Sequence, residues 1–127
     1  MVNAVNVDLV SVEAGTAVTI YRLVVRAADG QYDHVGVAQA EADGVCAESQ
    51  ATVGKVFPMA ALKAGSIVKV EAGASVSALD VVASDNVGRA ITAVSGVGNW
   101  RLGKALDAGD AGDIIRVQVL KDLDQVA

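Results

Sequence analysis

The chain has 127 residues and a formal net charge of −5, a size that suits one domain with a single core. The acidic balance and the lack of a basic patch argue against nucleic acid as a direct partner. Although 53% of the residues are hydrophobic, no run approaches the roughly 20 apolar residues of a membrane helix. The N-terminus also lacks the pattern of a signal peptide, so we expect no membrane partner and no export.

Valine and alanine supply most of the apolar residues, whereas aromatic residues make up only 3% of the chain. Valine favours the half-buried surface of a sheet, and glycine allows tight turns and close backbone approach. Because small side chains bury little area each, a compact monomer should be less stable than its length suggests. Cys46 is the single cysteine, which rules out an internal disulfide and fits a reducing compartment.

Residues 1–13 alternate loosely between apolar and polar, and we interpret them as an extended N-terminal arm. The apolar residues of the arm are candidate contacts with another protein or subunit: Val5, Val7, Leu9, Val10 and Val12. Burying them would contribute roughly 7–15 kcal/mol, but ordering about ten backbone residues costs roughly 10–20 kcal/mol. The arm therefore also needs main-chain hydrogen bonds, which pairing with a neighbouring sheet would supply. The alternative is a permanent first strand of the protein's own fold.

The next segment predicts short strands separated by turns. Residues 17–26 and 31–38 form a hairpin around Asp29-Gly30, and a third strand lies near residues 45–53. A short apolar segment, Lys55–Phe57, ends at Pro58. Residues Met59–Ala64 fit either one helical turn stopped by Gly65 or a plain loop.

The second half of the chain repeats this pattern. Its predicted strands are Ile67–Glu71, Val76–Ala83, Arg89–Val94, Trp100–Leu106 and Ile114–Leu120. Spaced short strands with no sustained helical period indicate an all-β barrel or sandwich. We therefore divide the chain into an arm (1–13), a β domain (14–120) and a polar C-terminal tail (121–127).

Two stretches of the chain are similar to each other. Residues 14–25 align without gaps on residues 72–83, and Gly36 in Val-Gly-Val-Ala matches Gly103 in Leu-Gly-Lys-Ala. Gly44 then opens a strand as Gly112 does. Such self-similarity predicts two tandem β units, which we expect to pack about a pseudo-twofold axis.

The residues that could carry chemistry have few suitable neighbours. His34 lies beside Asp33 without a third group, so a strand surface is a better interpretation than a catalytic site. Cys46 lacks a basic neighbour and fits a buried hydrophobic position. Asp107, Asp110 and Asp113 fit turn chemistry better than a cation site. Trp100 is a candidate contact residue, although core packing is the plainer explanation. We predict no catalytic, cofactor or metal site.

Residues 65–73 and the strand after them resemble lipoyl and biotinyl carrier domains, which are also built from two quasi-equivalent β units. The lysines here lack the motif that surrounds the modified lysine of those domains. A non-viral β-sandwich binding module of related shape therefore stays an alternative. An enzyme that uses His34 is a more distant one.

A broader resemblance covers residues 14–120. The segments Glu71–Val76, Val81–Ala90, Gly103–Leu106 and Gly112–Val117, with Gly36-Val37-Ala38 upstream, resemble the capsid decoration (cement) proteins of tailed bacteriophages. The order and spacing of turn glycines and valines carry this resemblance. It implies a compact β-barrel, usually trimeric, that docks on the outside of the major capsid shell and reinforces the mature head. The implied partners are the major capsid protein and further copies of the chain. The implied location is the virion surface, after synthesis in the host cytoplasm.

Overall fold

The computed structural model describes residues 8–94, 96 and 98–123 of the chain. This part of the chain forms ten β-strands, and it contains no helix that could cross a membrane. In chain order the strands are β1 (Asp8–Glu13), β2 (Leu23–Arg26), β3 (Tyr32–His34), β4 (Gly44–Cys46), β5 (Val56–Ala61), β6 (Ile67–Glu71), β7 (Val81–Ser84), β8 (Ala90–Thr92), β9 (Trp100–Ala105) and β10 (Ile114–Leu123).

The strands form two antiparallel sheets of five strands each. The first sheet has the order β1-β5-β4-β2-β3 and the second has the order β6-β10-β9-β7-β8. The two orders are the same when β6 is matched to β1, β7 to β2 and so on. The structure thus confirms an all-β fold of two similar β units, which we call the first unit (residues 8–61) and the second unit (residues 67–123). The two sheets are not closed into a barrel.

The correspondence between the units extends to their loops. Ala14 and Ala72 each follow the first strand of their unit, and each donates its N–H to the residue before the fifth strand. The acceptors are the carbonyls of Lys55 and Asp113, at 2.9 and 2.7 Å. Further matched pairs with positive φ are Tyr21 and Leu79, Gly30 and Gly88, and Gly54 and Gly112. The predicted alignment of residues 14–25 with 72–83 is therefore correct.

The predicted matches of Gly36 with Gly103 and of Gly44 with Gly112 are wrong. Gly44 pairs with β2 at the position where Gly103 pairs with β7, so these two glycines are equivalent. A Cβ atom on either one would collide with a backbone carbonyl of the fifth strand of its unit. The close approach of two strands therefore requires glycine at this position in both units.

Strand β5 replaces the helical turn or loop predicted at Met59–Ala64. The sequence predicted that Pro58 ends the segment Lys55–Phe57, whereas β5 continues through this proline. At the matched position the Arg116 N–H needs a side-chain acceptor, the Asp107 carboxylate at 3.0 Å. No strand partner is therefore available to the backbone nitrogen here, and proline is tolerated because it removes no ladder hydrogen bond.

The described half of the predicted arm is strand β1. It pairs with β5 along its whole length, and it matches β6, so it lies inside the repeated unit. The predicted contact residues Val5 and Val7 lie outside the described residues. At the other end β10 continues to Leu123, so residues 121–123 of the predicted tail belong to a strand.

The buried apolar residues form two clusters. The smaller cluster lies within the first unit and contains Ala14, Val18, Val24, Cys46, Phe57 and Met59. The matched residues of the second unit belong to a larger cluster, which also contains first-unit residues: Leu23, Val35, Ala42, Val45 and Ala60. Because neighbouring residues of a strand point to opposite faces, Leu23 and Val24 serve different clusters. One face of the first sheet therefore holds its own core, and the other face packs against the second unit.

The units pack head-to-tail, and the predicted pseudo-twofold arrangement is wrong. A twofold arrangement repeats every contact with the roles exchanged. The Leu23 N–H donates to the Gly88 carbonyl at 2.7 Å, and a Cβ atom on Gly88 would lie 2.5 Å from the Leu23 oxygen. A Cβ atom on the matched Gly30 would have only the Arg26 side chain within 4 Å among the described residues. The contact is therefore made once.

Side-chain chemistry distinguishes the face of the first unit that is covered from the matched face of the second. The covered residues are apolar, and they include Val45 and Ala60. Their matches in the second unit are Lys104 and Gln118, which are exposed. Polar residues on the outer face of a terminal repeat keep it soluble, and the face of the second unit that carries Lys104 and Gln118 has this polar character.

Candidate interaction surfaces

An ion pair joins the two units at the edge of the second sheet. The Arg22 guanidinium contacts both carboxylate oxygens of Glu71, with Nε–Oε1 and Nη2–Oε2 distances of 3.1 and 3.3 Å. Its Nη1 atom also donates to the Val87 carbonyl at 3.2 Å. The Glu71 N–H donates to the Tyr21 carbonyl at 2.9 Å. A turn of the first unit thus covers the β6 edge at Glu71 with a backbone hydrogen bond and an ion pair.

Trp100 lies at the junction of the two units. It is the first residue of β9, and its N–H donates to the Gln39 carbonyl at 2.8 Å. Gln39 has a positive φ of 64°, and its own N–H donates to the Ser84 carbonyl at 2.8 Å. Trp100 lines a cleft together with Leu23, Ala40, Leu62 and Leu102. Trp100 therefore packs between the units, and its predicted role as a contact with another molecule stays a prediction.

Strand β1 is an edge of the first sheet, because among the described strands it forms a ladder only with β5, and a single bridge from Ala14 to Tyr32 follows it. Leu9 and Val10 are 64% and 42% exposed, whereas Val12 packs against the smaller cluster. The residue matched to Val10 is Val68, which is 1% exposed. Of the predicted contact residues, the structure brings Leu9, Val10 and Val12 together on this strand and places Trp100 in the other sheet.

Two carboxylates lie near the end of β1. Glu13 Oε1 accepts a hydrogen bond from Gln31 Nε2. Asp33 follows two residues after Gln31, and its Oδ1 atom is buried without a hydrogen-bond partner in the described part of the chain. The residue matched to Gln31 is Arg89, which forms an ion pair with Asp85 at 3.0 Å. The first unit thus has an uncharged amide where the second unit has a cation.

His34 accepts a backbone hydrogen bond rather than taking part in a catalytic group. The Thr19 N–H donates to its Nε2 atom at 2.9 Å, so this nitrogen must be unprotonated. Burial and then the charge of Arg22 lower the pKa of His34 below its ordinary value, while Asp33 and Glu71 oppose the shift. The neutral ring therefore holds the loop that precedes β2.

Cys46 is a buried residue of the smaller cluster. Its thiol donates to the Glu48 carbonyl at 3.0 Å, and burial raises the pKa of the thiol. A raised pKa disfavours the thiolate, which is the nucleophilic form of cysteine. The environment matches the predicted role as a small buried hydrophobic residue.

The three aspartates after β9 support turns and one ion pair. Asp107 binds Arg116 through both carboxylate oxygens, at 2.8 and 3.0 Å, and hydrogen bonding from this arginine lowers the pKa of Asp107 to about 2. The Asp110 N–H donates to the Asp113 carboxylate at 2.9 Å. The Ser75 hydroxyl donates to Asp110 at 2.9 Å. These bonds agree with the turn interpretation.

Sequence reasoning missed the residues that join the units, chiefly Arg22, Gln39, Glu71 and Gly88. No local spacing pairs Arg22 with Glu71, because they are 49 residues apart. The available signal is the difference between the two copies. Arg22 matches Asp80 in the second unit, so the charge at this position has opposite sign in the two units. This difference is expected because only the arginine of the first unit forms the contact with Glu71.

The fold and the surfaces together define a duplicated β protein whose units pack head-to-tail and whose first sheet ends in an open strand. Among solved structures, the chain is similar to the N base of the head fiber protein gp8.5 of bacteriophage phi29. The TM-score is 0.71 at 16% sequence identity, and the match covers 89% of this chain and 93% of that chain. At this identity the likeness shows a shared fold. No family model matches the chain, and no curated protein matches it significantly.

Proposed function

We propose that this protein is a structural component of a bacteriophage virion that binds the outside of the major capsid shell and stabilises the mature head. The observation that carries the proposal is the fold shared with the N base of the phi29 head fiber, which extends over nearly the whole of both chains. The resemblance of the turn and strand motifs to capsid decoration proteins supports the same class from the sequence.

The proposal includes no enzymatic activity and no cofactor. The residues that chemistry would need have structural partners instead. His34 holds a loop N–H, Cys46 lies in a core cluster and Asp107 binds Arg116. These contacts account for each of the three without a reaction.

In this proposal the partners are the major capsid protein and further copies of the chain, which form a homotrimer on the virion surface. The small side chains support association, because each buries little area within one protomer. The open β1 edge supports binding to the other partner, the major capsid protein, because exposed edge strands are usually paired or covered.

Cosedimentation with mature heads of the encoding phage, prepared without this protein, tests the proposal. We expect saturable binding that Leu9→Ser weakens. The matched control is Val37→Ser, because Val37 is 68% exposed and Leu9 is 64% exposed, but Val37 lies outside β1. A protein that stays in the supernatant at all concentrations would contradict the proposal. Genes for a major capsid protein and a capsid protease beside this gene would support it.

A further inference from the structure

We propose that the outer edge of β1 binds an extended, basic segment of a partner protein. The segment would add a strand to the first sheet and would place an arginine or lysine against Glu13, with Asp33 nearby. This inference rests on the proposed attachment function and names the chemistry of the docking segment. Strand addition is an established way for sheets to recognise peptides, with the backbone providing affinity and the side chains specificity.

The β1 edge is the longest uncovered edge among the described strands. The edge strands β3 and β8 have three residues each, and a turn of the first unit covers β6 at Glu71. Strand β1 has six residues, DLVSVE, without the proline or lysine that commonly protects an edge. In the described part of the chain, it therefore offers the outward backbone groups of Leu9 and Ser11 as uncovered donors and acceptors.

The hydrogen-bond pattern shows which groups face outward. The Ala14 N–H points inward, because it donates to the Lys55 carbonyl before β5. Since alternate residues of a strand direct their N–H and C=O groups to opposite sides, those of Leu9, Ser11 and Glu13 point away from β5. The parallel bridge between Ala14 and Tyr32 occupies the Glu13 carbonyl, so an incoming strand would pair with Leu9, Ser11 and the Glu13 N–H.

The second unit shows how the matched edge is covered. Glu71 matches Glu13, and its N–H donates to a backbone carbonyl while its carboxylate binds the Arg22 guanidinium. The first unit covers this end of β6, and Val68 on the same strand is only 1% exposed. The matched Val10 of β1 is 42% exposed. A backbone carbonyl and a guanidinium from adjacent residues, Tyr21 and Arg22, are thus the groups that the matched edge accepts.

Among the described residues, the carboxylates near the end of β1 have no cationic partner, whereas those near the end of β6 do. In the second unit Glu71 has Arg22 and Asp85 has Arg89. In the first unit the described partner of Glu13 is the uncharged Gln31, and one buried oxygen of Asp33 has no described partner. A basic side chain on the incoming strand would pair with the exposed Glu13, and Asp33 beside Gly15 would add negative charge nearby.

A second copy of this chain is a poor occupant of the edge. Strand β1 has the sequence DLVSVE, so pairing with β1 of another copy would bring no lysine or arginine to Glu13. The net charge of −5 adds repulsion. The edge therefore suits a different protein with a basic strand.

Titration of the ¹⁵N-labelled full-length chain with two peptides tests the inference. Both peptides have about seven residues of alternating valine and threonine, and they differ only at the centre, which is arginine in one and glutamate in the other. We expect the arginine peptide to shift the amide signals of residues 9–13 and to bind about tenfold more tightly than the glutamate peptide. Glu13→Gln should reduce this difference.

Proline variants separate backbone pairing from charge attraction. Ser11→Pro removes an outward N–H while leaving the bonds to β5, so it should abolish binding of the arginine peptide. Lys69→Pro makes the same change at the matched position of β6 and should leave binding unchanged. Signal shifts outside β1, equal affinity for both peptides, or no binding at about 1 mM would each overturn the inference. Comparison of the two peptides on the unmodified chain keeps the test valid if Ser11→Pro does not fold.

The peptide titration and the cosedimentation with heads can give different answers, so the two proposals can fail separately. If heads bind the chain but the arginine peptide does not, attachment stands and the β1 edge is not its means. If the peptide binds as expected but heads do not, the edge is a docking site and the partner is not the capsid.

Discussion

A methyl group added at Gly88 would collide with the first unit and push the two units apart. Gly88 and Gly30 have nearly the same left-handed backbone, with φ of 80° and 86°, but only Gly88 touches the other unit. We predict that Gly30→Ala lowers the free energy of unfolding by about 1–2 kcal/mol through backbone strain. Gly88→Ala should lose roughly 1–3 kcal/mol more through overpacking. Urea denaturation measures both, and equal losses would contradict the head-to-tail contact.

His34 gives the fold a dependence on pH. Because its pKa is lowered in the folded protein, the unfolded chain takes up a proton more readily than the folded chain does. The stability contributed by the neutral ring is therefore complete above the ordinary value of 6.5 and is lost as the pH falls from there through the lowered pKa. We predict that His34→Gln reduces the slope of the free energy of unfolding against pH between about pH 7 and pH 5. An unchanged slope in chemical denaturation would show that His34 does not titrate as described.

At the residue scale the sequence predicts turns better than it predicts register. The Asp-Gly signal places Gly30 in a hairpin turn, and the structure agrees. The match of Gly36 with Gly103 fails because the Gly-x-Ala pattern occurs in a loop of the first unit and a strand of the second. Only the collision of a Cβ atom with a neighbouring strand distinguishes the required glycine, Gly44, and that collision involves residues distant in sequence.

At the scale of elements, the Arg22–Glu71 pair links a turn of the first unit to an edge strand of the second. The side chains are 22% and 17% exposed, against 48% and 36% for Arg116 and Asp107. We predict a coupling energy of about 1–2 kcal/mol for the Arg22–Glu71 pair in a double-mutant cycle, because its hydrogen bonds are charge-assisted and partly shielded from water. The Arg116–Asp107 pair should give less than about 1 kcal/mol. A larger coupling for the exposed pair would be the contrary result.

Strands are predicted correctly where apolar and polar side chains alternate. They are predicted wrongly where the neighbouring strands determine whether a segment continues. The alternation in Ile67–Glu71 predicts β6 with the bounds that the structure shows. The sequence also places a break at Pro58, because proline usually ends a strand. Here β4 ends before this position, and the strand continues. The pairing of β1 with β5 likewise could not be predicted, because the sequence leaves a docking arm and a first strand equally compatible with residues 8–13.

At the scale of the whole molecule, the duplication could be predicted and the packing of its halves could not. Residues 14–25 and 72–83 share turn glycines and valines, so the two units are visible in the sequence. Their head-to-tail arrangement depends on contacts such as that of Leu23 with Gly88. These contacts join residues without a recognisable local pattern, which is why the pseudo-twofold expectation failed.

The proposed assembly is a homotrimer of this chain. We predict that light scattering of the purified protein at tens of micromolar gives about three times the 12.8 kDa mass of the chain, because closed oligomers are symmetric and bury surfaces that one protomer leaves exposed. A mass of one chain at this concentration would exclude self-association in solution and would leave trimer formation only on the capsid.

The thermal stability of phage heads tests the proposed role most directly. Mature heads of the encoding phage, prepared without this protein, are heated with a DNA-binding dye in the presence and absence of saturating amounts of the purified chain. We predict that DNA release shifts to a higher temperature when the chain is bound, because a ligand that binds the intact head stabilises it. DNA release at the same temperature with and without the chain would contradict the claim that this protein reinforces the head.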